Sequence, residues 1–179
     1  MMFMEPDKAM FNYTDTGDLQ ILELPYKGEK ISMLILLPAE NNTNMLSSLT
    51  AEKLNEYKTK LTETKLDAIY LPKFEFDTKY FMKDALEALG MPTAFKADAA
   101  DFSGMDGTRN LYIGSVIHQA FVKVDEEGTE AAAATAVIIA TTGIRERTEF
   151  KADHPFIFII QERETGNILF LGRVTDPRA

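Results

Sequence analysis

The residues with the clearest potential for function lie between positions 124 and 142, where Glu and Ala give way to β-branched and apolar residues. The first part favours a helix and the second part favours a buried strand. Alternate positions carry small or apolar, uncharged side chains: Thr129, Ala131, Ala133, Thr135, Val137 and Ile139. Because alternate residues of a strand share one face, this segment could enter a sheet without burying a charge on that face. An Ala-rich linker and an ordinary surface helix are the simpler interpretations of the same composition.

Side chains suited to covalent catalysis are scarce. The chain has no Cys, and its two histidines are His118 and His154. None of the five serines stands in a context that indicates a nucleophile with a neighbouring base, and there is no glycine-rich phosphate loop. On local sequence His118 is a strand histidine, and His154, which precedes Pro155, is a turn residue. We therefore predict no catalytic residue, no metal site and no cofactor, and hence a protein that is not an enzyme.

Composition limits the class of protein and its partners. With 179 residues, 45% hydrophobic and 26% charged, the chain fits one globular domain with a hydrophobic core. A net charge of -9 argues against nucleic acid or an anionic membrane as a partner, because both attract clustered Lys and Arg. Residues 1–4 are apolar but lack the basic start and cleavage site of a signal peptide. The expected compartment is extracellular if the full-length protein carries a signal peptide, and cytoplasmic otherwise.

The first half of the chain has the pattern of strands followed by a helix. Strands are predicted at residues 1–4, 9–14, 19–26 and 31–37. The polar loop at 27–30 should join the last two as a hairpin. Residues 32–37 are apolar on both faces after Ser32, so their strand should be central and covered on both sides. Thr50 is a suitable N-cap for a helix whose apolar residues recur at helical spacing as far as Leu61.

The second half combines strands with one helix. Strands are predicted at residues 66–76, 111–124, 156–161 and 168–174. Pro72 should bend the first of these or carry it from one sheet to another. Asp77 or Thr78 should cap a helix that ends at Gly90, and residues 97–110 should be irregular. The connection between the second and third of these strands is long for a compact domain, and its composition favours function over disorder.

Three segments closely resemble the serpins, a family of inhibitors that trap serine or cysteine proteases. They are residues 124–132 (VDEEGTEAA), 150–156 (FKADHPF) and 170–174 (FLGRV) followed by Asp176 and Pro177. Residues 71–73 (LPK) and 116–120 (VIHQA) fit the family as well. The resemblance covers essentially residues 1–179 but matches the C-terminal half of the family's fold, since serpins are about twice as long. It implies an α+β, multi-sheet fold, mostly β with a few helices, that forms the C-terminal part of a single serpin domain.

The resemblance also implies a hinge and reactive-centre loop over residues 126–149. The matching hinge residues are Glu126, Gly128, Thr129, Glu130, Ala131, Ala132, Ala133 and Ala134. Three bonds fit the reactive position by different criteria: Thr142–Gly143, Ile144–Arg145 and Arg145–Glu146. The first follows from counting forward from the hinge, the second from counting back from residues 150–156, and the third is the bond that a trypsin-like protease would cut. We favour the first, because each extra residue before the bond lengthens the tether and weakens the pull on the protease.

Two further positions are implied where the family's main sheet opens to receive the loop. Lys73 and Glu126 match a pair that bridges the top of that sheet. His118 matches a buried histidine beneath the opening, and its partners would lie in the N-terminal half of the fold. The alternative for Lys73 and Glu126 is that they are unrelated surface charges.

The resemblance implies a serine-type endopeptidase inhibitor that acts as a suicide substrate. A target serine protease, or a cysteine protease, cleaves the loop, and the loop then inserts into the main sheet, which is an established property of the family. The other expected partner is the N-terminal half of the serpin fold, with no nucleic acid and no membrane. One alternative is a non-inhibitory serpin, against which the uncharged alternate positions from Thr129 onward argue. The other is an inactive fragment or interaction module that has no sheet to receive the loop.

Overall fold

A computed structural model of the chain describes residues 1–6, 9–39, 48–125 and 147–177. In chain order its elements are β1 (Met2–Met4), β2 (Met10–Asp15), β3 (Leu19–Pro25), β4 (Ile31–Pro38), α1 (Ala51–Lys58), β5 (Thr62–Lys65), β6 (Ala68–Leu71), β7 (Phe74–Phe81), α2 (Lys83–Ala88), a 3-10 turn (Thr93–Phe95), α3 (Ser103–Asp106), β8 (Ile117–Val124), β9 (Glu149–Lys151), β10 (Phe156–Glu162) and β11 (Ile168–Val174). The chain divides into two compact units, Met1–Phe74 with Val124–Ala179, and Glu75–Lys123. Many strands with a few short helices confirm the predicted α+β class.

The first unit is built on an antiparallel sheet of six strands in the order β11-β10-β4-β3-β2-β5. β3 and β4 form the predicted hairpin. At its turn Gly28 has φ +89°, and the Glu29 N–H donates to the Tyr26 carbonyl at 2.9 Å. Glycine supplies the left-handed conformation that this tight turn requires. The polar loop at 27–30 therefore predicted the hairpin correctly.

β4 is an interior strand of this sheet, as its apolar run predicted. Every residue from Ser32 to Pro38 is buried, which requires cover on both faces. On one face helix α1 contributes to a hydrophobic cluster of Leu19, Ile21, Leu34, Leu36, Leu54, Ile157 and Ile159. The helix begins after Thr50, whose Oγ1 accepts a hydrogen bond from the Lys53 N–H at 3.3 Å. This confirms the predicted N-cap.

A second sheet of the first unit has the order β1-β6-β9. β1 pairs antiparallel with β6, and β6 pairs parallel with β9. β6 ends at Leu71, and after Pro72 the chain continues as β7, which belongs to a different sheet with β8. Pro72 therefore marks the passage from one sheet to another, as predicted, because proline cannot donate a hydrogen bond to a strand ladder.

The second unit corrects the predicted start of its helix. Asp77 and Thr78, which were expected to cap the helix, lie inside β7, and α2 begins only at Lys83 with no side-chain cap. Asp77 instead accepts a hydrogen bond from Gln119 Nε2 of β8 at 2.8 Å. Pairing with β8 outweighs the capping preference of Asp and Thr, because it satisfies backbone groups along the strand.

The strand predicted at 111–124 is also shorter than expected, since β8 starts only at Ile117. The Ile113 N–H donates to the carbonyl of Ala94, in the 3-10 turn, at 2.9 Å. This contact between distant positions is not visible in a local hydrophobic pattern. The predicted end of α2 is correct, because the helix stops at Ala88 and Gly90 follows with φ +101°.

Gly172 of β11 is expected to be intolerant of a side chain. It lies opposite Phe158 of β10, and a Cβ added there would stand 2.4 Å from the buried Phe158 ring. Gly172→Ala should therefore force the ring or the strand to shift and should lower the free energy of unfolding by about 1–3 kcal/mol. Urea denaturation measures the effect. Gly114→Ala is the matched control, because its added Cβ would meet nothing within 4 Å. A shared midpoint for the two variants would contradict this prediction.

Candidate functional site

The predicted inserting segment lies outside the described residues. This applies to the hinge, to all three candidate reactive bonds, and to Glu126 as the expected partner of Lys73. The structure describes the two borders of the segment, which are β8, ending at Val124, and β9, beginning at Glu149. Each border is described by itself.

β8 forms the N-terminal border and is an exposed, partly apolar strand. Among the described residues it is hydrogen-bonded to β7 alone, in a sheet of two strands. Ile117 and Phe121 are 52% and 55% exposed. An exposed strand edge with apolar side chains is a template on which another strand can pair. In the part of the chain that the structure describes, a partly apolar strand edge is therefore exposed over Ile117–Val124.

His118 of β8 is exposed in this chain, so the burial implied by the family resemblance is not observed here. Its ring stacks on Tyr80 with 6.4 Å between the ring centroids and an interplanar angle of 23°. The strand position of His118 agrees with the prediction from local sequence. The further partners that the resemblance implies belong to the N-terminal half of the fold, so a role at a sheet opening stays a prediction.

Lys73 follows the end of β6 and its side chain is exposed. Its predicted partner Glu126 lies outside the described ranges. The pair at the top of the main sheet therefore stays a prediction.

Asp67 and β9 form the C-terminal border. The Asp67 N–H donates to the Thr148 carbonyl at 2.8 Å, and the Thr148 N–H donates to Asp67 Oδ2 at 2.9 Å. β9 then continues in parallel register with β6, and Phe150 and Ala152 are fully buried. Sequence reasoning did not identify Asp67, because its partner is 81 positions away and no local motif marks it.

His154 is a structural residue, as its position before Pro155 predicted. Its Nδ1 lies 2.9 Å from Asp153 Oδ1, and its Nε2 lies 2.5 Å from the Pro38 carbonyl oxygen. Lys151 Nζ is 2.8 Å from Asp153 Oδ2, and the Lys151 ammonium, assisted by His154, lowers the pKa of the Asp153 carboxyl. These contacts connect β9 to the end of β4. They occupy both ring nitrogens with structural partners rather than with a nucleophile.

The described residues contain no group of three or more His, Asp or Glu side chains arranged to hold a metal ion. Within the same part of the chain, no helix is long and apolar enough to cross a membrane.

Comparison with known proteins identifies a family for nearly the whole chain. A family model described as "Serpin (serine protease inhibitor)" matches residues 1–177. A serpin-like protein of Methanosarcina acetivorans is 45% identical over 168 residues, which cover 93% of this chain and 39% of that protein. Leukocyte elastase inhibitor A of Rattus norvegicus is 42% identical over 183 residues, which cover 98% of this chain and 48% of that protein.

A solved structure agrees with the sequence comparisons. The crystal structure of mouse protein-Z dependent protease inhibitor superimposes with a TM-score of 0.77 at 31% identity. The match covers 98% of this chain and 45% of that chain. This chain thus spans less than half the length of each of these three proteins.

Proposed function

The chain belongs to the serpin family, and from this premise we propose that it is the C-terminal part of a protease inhibitor whose segment 126–146 is cleaved and then inserts as a strand. A similar protein named as an inhibitor of leukocyte elastase supports a protease as the target. A serine protease is the first expectation and a cysteine protease the second. In this proposal the chain contributes a substrate loop and a receiving strand, and the protease contributes the catalysis.

The observation that carries the proposal is the exposed edge of β8. The segment follows β8 directly in sequence, so after cleavage its residues from Thr129 onward can turn back and pair with that edge. The alternating uncharged face of the segment suits burial against a sheet. The uncharged alternate positions of the segment also favour an inhibitor over a non-inhibitory serpin.

The proposed reaction needs no nucleophile from this chain. The serine hydroxyl of the protease attacks the carbonyl carbon of Thr142, the bond to Gly143 breaks, and Gly143 leaves with a new amino group. An ester then joins Thr142 to the protease, and insertion of residues 129–142 draws the protease along the sheet. At roughly 3.3 Å per residue the displacement is on the order of 45 Å. Distortion of the protease over this distance would stop hydrolysis of the ester.

The reactive bond is proposed at Thr142–Gly143, with Ile144–Arg145 and Arg145–Glu146 as the alternatives. Digestion with a target protease followed by mass spectrometry of the loop peptides distinguishes the three. A new N-terminus at Gly143 would support the proposed bond. One at Arg145 would assign the reactive bond to Ile144–Arg145, and one at Glu146 would assign it to Arg145–Glu146.

The strongest competing function is an inactive fragment or interaction module. The chain spans less than half of the proteins that it matches, and it exposes apolar strand residues such as Ile117, Phe121 and Leu171. For inhibition, the N-terminal half of the fold must supply a further strand on the far side of the inserted segment. A chain without that half would be cleaved as an ordinary substrate.

The two functions are distinguished by testing for a covalent complex that survives SDS. The purified chain is incubated with a serine protease, alone and together with the N-terminal half of a full-length relative. When both halves are present, inhibition predicts a band at the combined mass of the protease and residues 1–142, because the ester joins only these two and the other pieces separate in SDS. Cleavage of the loop without any complex in the presence of both halves would overturn the proposed function and favour the inactive module.

A further inference from the structure

Two hydrogen bonds between Asp67 and Thr148, here called the Asp67 bracket, hold the chain just after segment 126–146. Thr148 is held by both of its backbone polar groups, with its N–H on the Asp67 carboxylate at 2.9 Å and its carbonyl on the Asp67 N–H at 2.8 Å. A hydrogen bond to a carboxylate is roughly twice as strong as one between neutral groups. Asp67 therefore provides a stronger anchor for Thr148 than a backbone partner alone would provide.

The Asp67 bracket lies one residue before the first residue pair of the parallel strands β6 and β9. Ala68 is opposite Glu149, Ile69 is opposite Phe150, and Tyr70 is opposite Lys151. The Asp67 and Thr148 contact extends this pairing toward the loop. Since β9 has only three residues, one additional anchored position is a large fraction of its attachment to the sheet.

Other contacts also hold β9 and the residues beside it. On the side away from the loop, Phe150 of β9 and Ala152, which follows the strand, are fully buried. Nearer the loop, Arg147 lies 3.8 Å from Glu5 and 3.9 Å from Glu149, and its side chain is 62% exposed. Long ion pairs of exposed side chains contribute little to stability. Among the described contacts near the start of β9, those of Thr148 with Asp67 are thus the main attachment.

We propose that Asp67 is a positioning residue that fixes the C-terminal end of the inserting segment to β6. The consequence for inhibition rests on the function proposed above. While the loop is uncleaved it is joined to both β8 and β9, so residues that pair with β8 pull on Thr148. The Asp67 bracket resists this pull, and the loop stays available to a protease. Once the reactive bond is cut, the two ends are independent and the bracket no longer opposes insertion.

The first test uses hydrogen exchange of the Thr148 amide in the full chain without protease. Asp67→Ala removes the acceptor and should accelerate exchange about tenfold, which corresponds to about 1.4 kcal/mol. Thr148→Ala is the matched control, because it removes a side chain but keeps the backbone groups that contact Asp67, so its exchange should stay within about twofold of the wild type. Asp67→Asn keeps an acceptor oxygen and should restore most of the protection. Unchanged exchange in Asp67→Ala would overturn the anchor.

The second test measures how long the inhibitor stays active before it meets a protease. The chain and the N-terminal half are held together at constant temperature, and the capacity to form the SDS-stable complex is followed with time. Asp67→Ala should lose capacity about tenfold faster than either the wild type or Thr148→Ala, without cleavage of the chain. Accelerated exchange with an unchanged lifetime would show that Asp67 is structural only and would overturn its positioning role. If the wild type forms no complex, the proposed function fails, while the exchange test still decides the Asp67 anchor.

Discussion

Under the proposed function, replacing Thr129 with Arg is expected to convert an inhibitor into a substrate. Thr129 is the first residue of the alternating uncharged face, so in an inserted strand its side chain would enter the seam of the sheet. An unpaired buried charge costs several kcal/mol, and each 1.4 kcal/mol slows a step about tenfold. Slower insertion gives the protease time to hydrolyse the ester, and the number of chains cleaved per protease trapped should rise at least tenfold.

The measurement is a titration of protease with the two halves of the fold, followed by SDS electrophoresis. The matched control is Glu130→Arg, because the neighbouring residue would lie on the opposite face of the inserted strand. The control should form the complex at nearly the wild-type ratio. An unchanged ratio for Thr129→Arg would show that the segment does not insert in the predicted register.

Arg163→Ala should destabilise the first unit by removing the cation beside a buried carboxylate. Arg163 Nε donates to Glu23 Oε1 at 3.1 Å, and Glu23 is only 6% exposed. Asn12 donates to the second oxygen of Glu23 at 2.6 Å. Removing Arg163 would leave a buried carboxylate without its nearest cation. We expect a loss of about 2 kcal/mol, less than for a fully buried pair, because the Arg163 side chain is 32% exposed.

This effect should depend on pH in a defined direction. Burial alone would raise the pKa of the Glu23 carboxyl, but the hydrogen bond from Asn12 and the charge and hydrogen bond of Arg163 lower it below its ordinary value. The stabilisation is therefore present above the unfolded-state pKa, near 4.3, and is lost as pH falls through the lower folded-state pKa. The difference between Arg163→Ala and the wild type should shrink below about pH 4 for the same reason.

Urea denaturation at pH 7 and at about pH 3 measures this prediction. Arg173→Ala serves as the control, because Arg173 is an exposed arginine on β11 of the same sheet. Its effect should stay within about 0.5 kcal/mol at both pH values. A pH-independent difference for Arg163→Ala would show that the loss comes from packing of the side chain rather than from the ion pair.

Local sequence patterns predicted correctly those features that depend on the residue types within one element. The apolar run at 33–37 predicted an interior strand, because a strand covered on both faces carries mainly apolar side chains on both. Thr50 and Pro72 were identified correctly, since capping and the missing proline donor depend on the residue itself. The helix start at Asp77 or Thr78 was wrong, because β7 continues through both residues as the partner of β8.

The sequence by itself determined the family and the alternation of the segment from Thr129 onward, because both depend on which residue types occur and at what spacing. Only the tertiary structure decided that β8 pairs with β7 alone among the described strands, that Glu23 is buried beside Arg163, and that Asp67 is hydrogen-bonded to Thr148. Each of these contacts joins residues far apart in sequence or depends on which neighbouring strand is present. Hydrogen bonds and burial of this kind follow from the packing of whole elements, whereas local composition records only the preferences of each element.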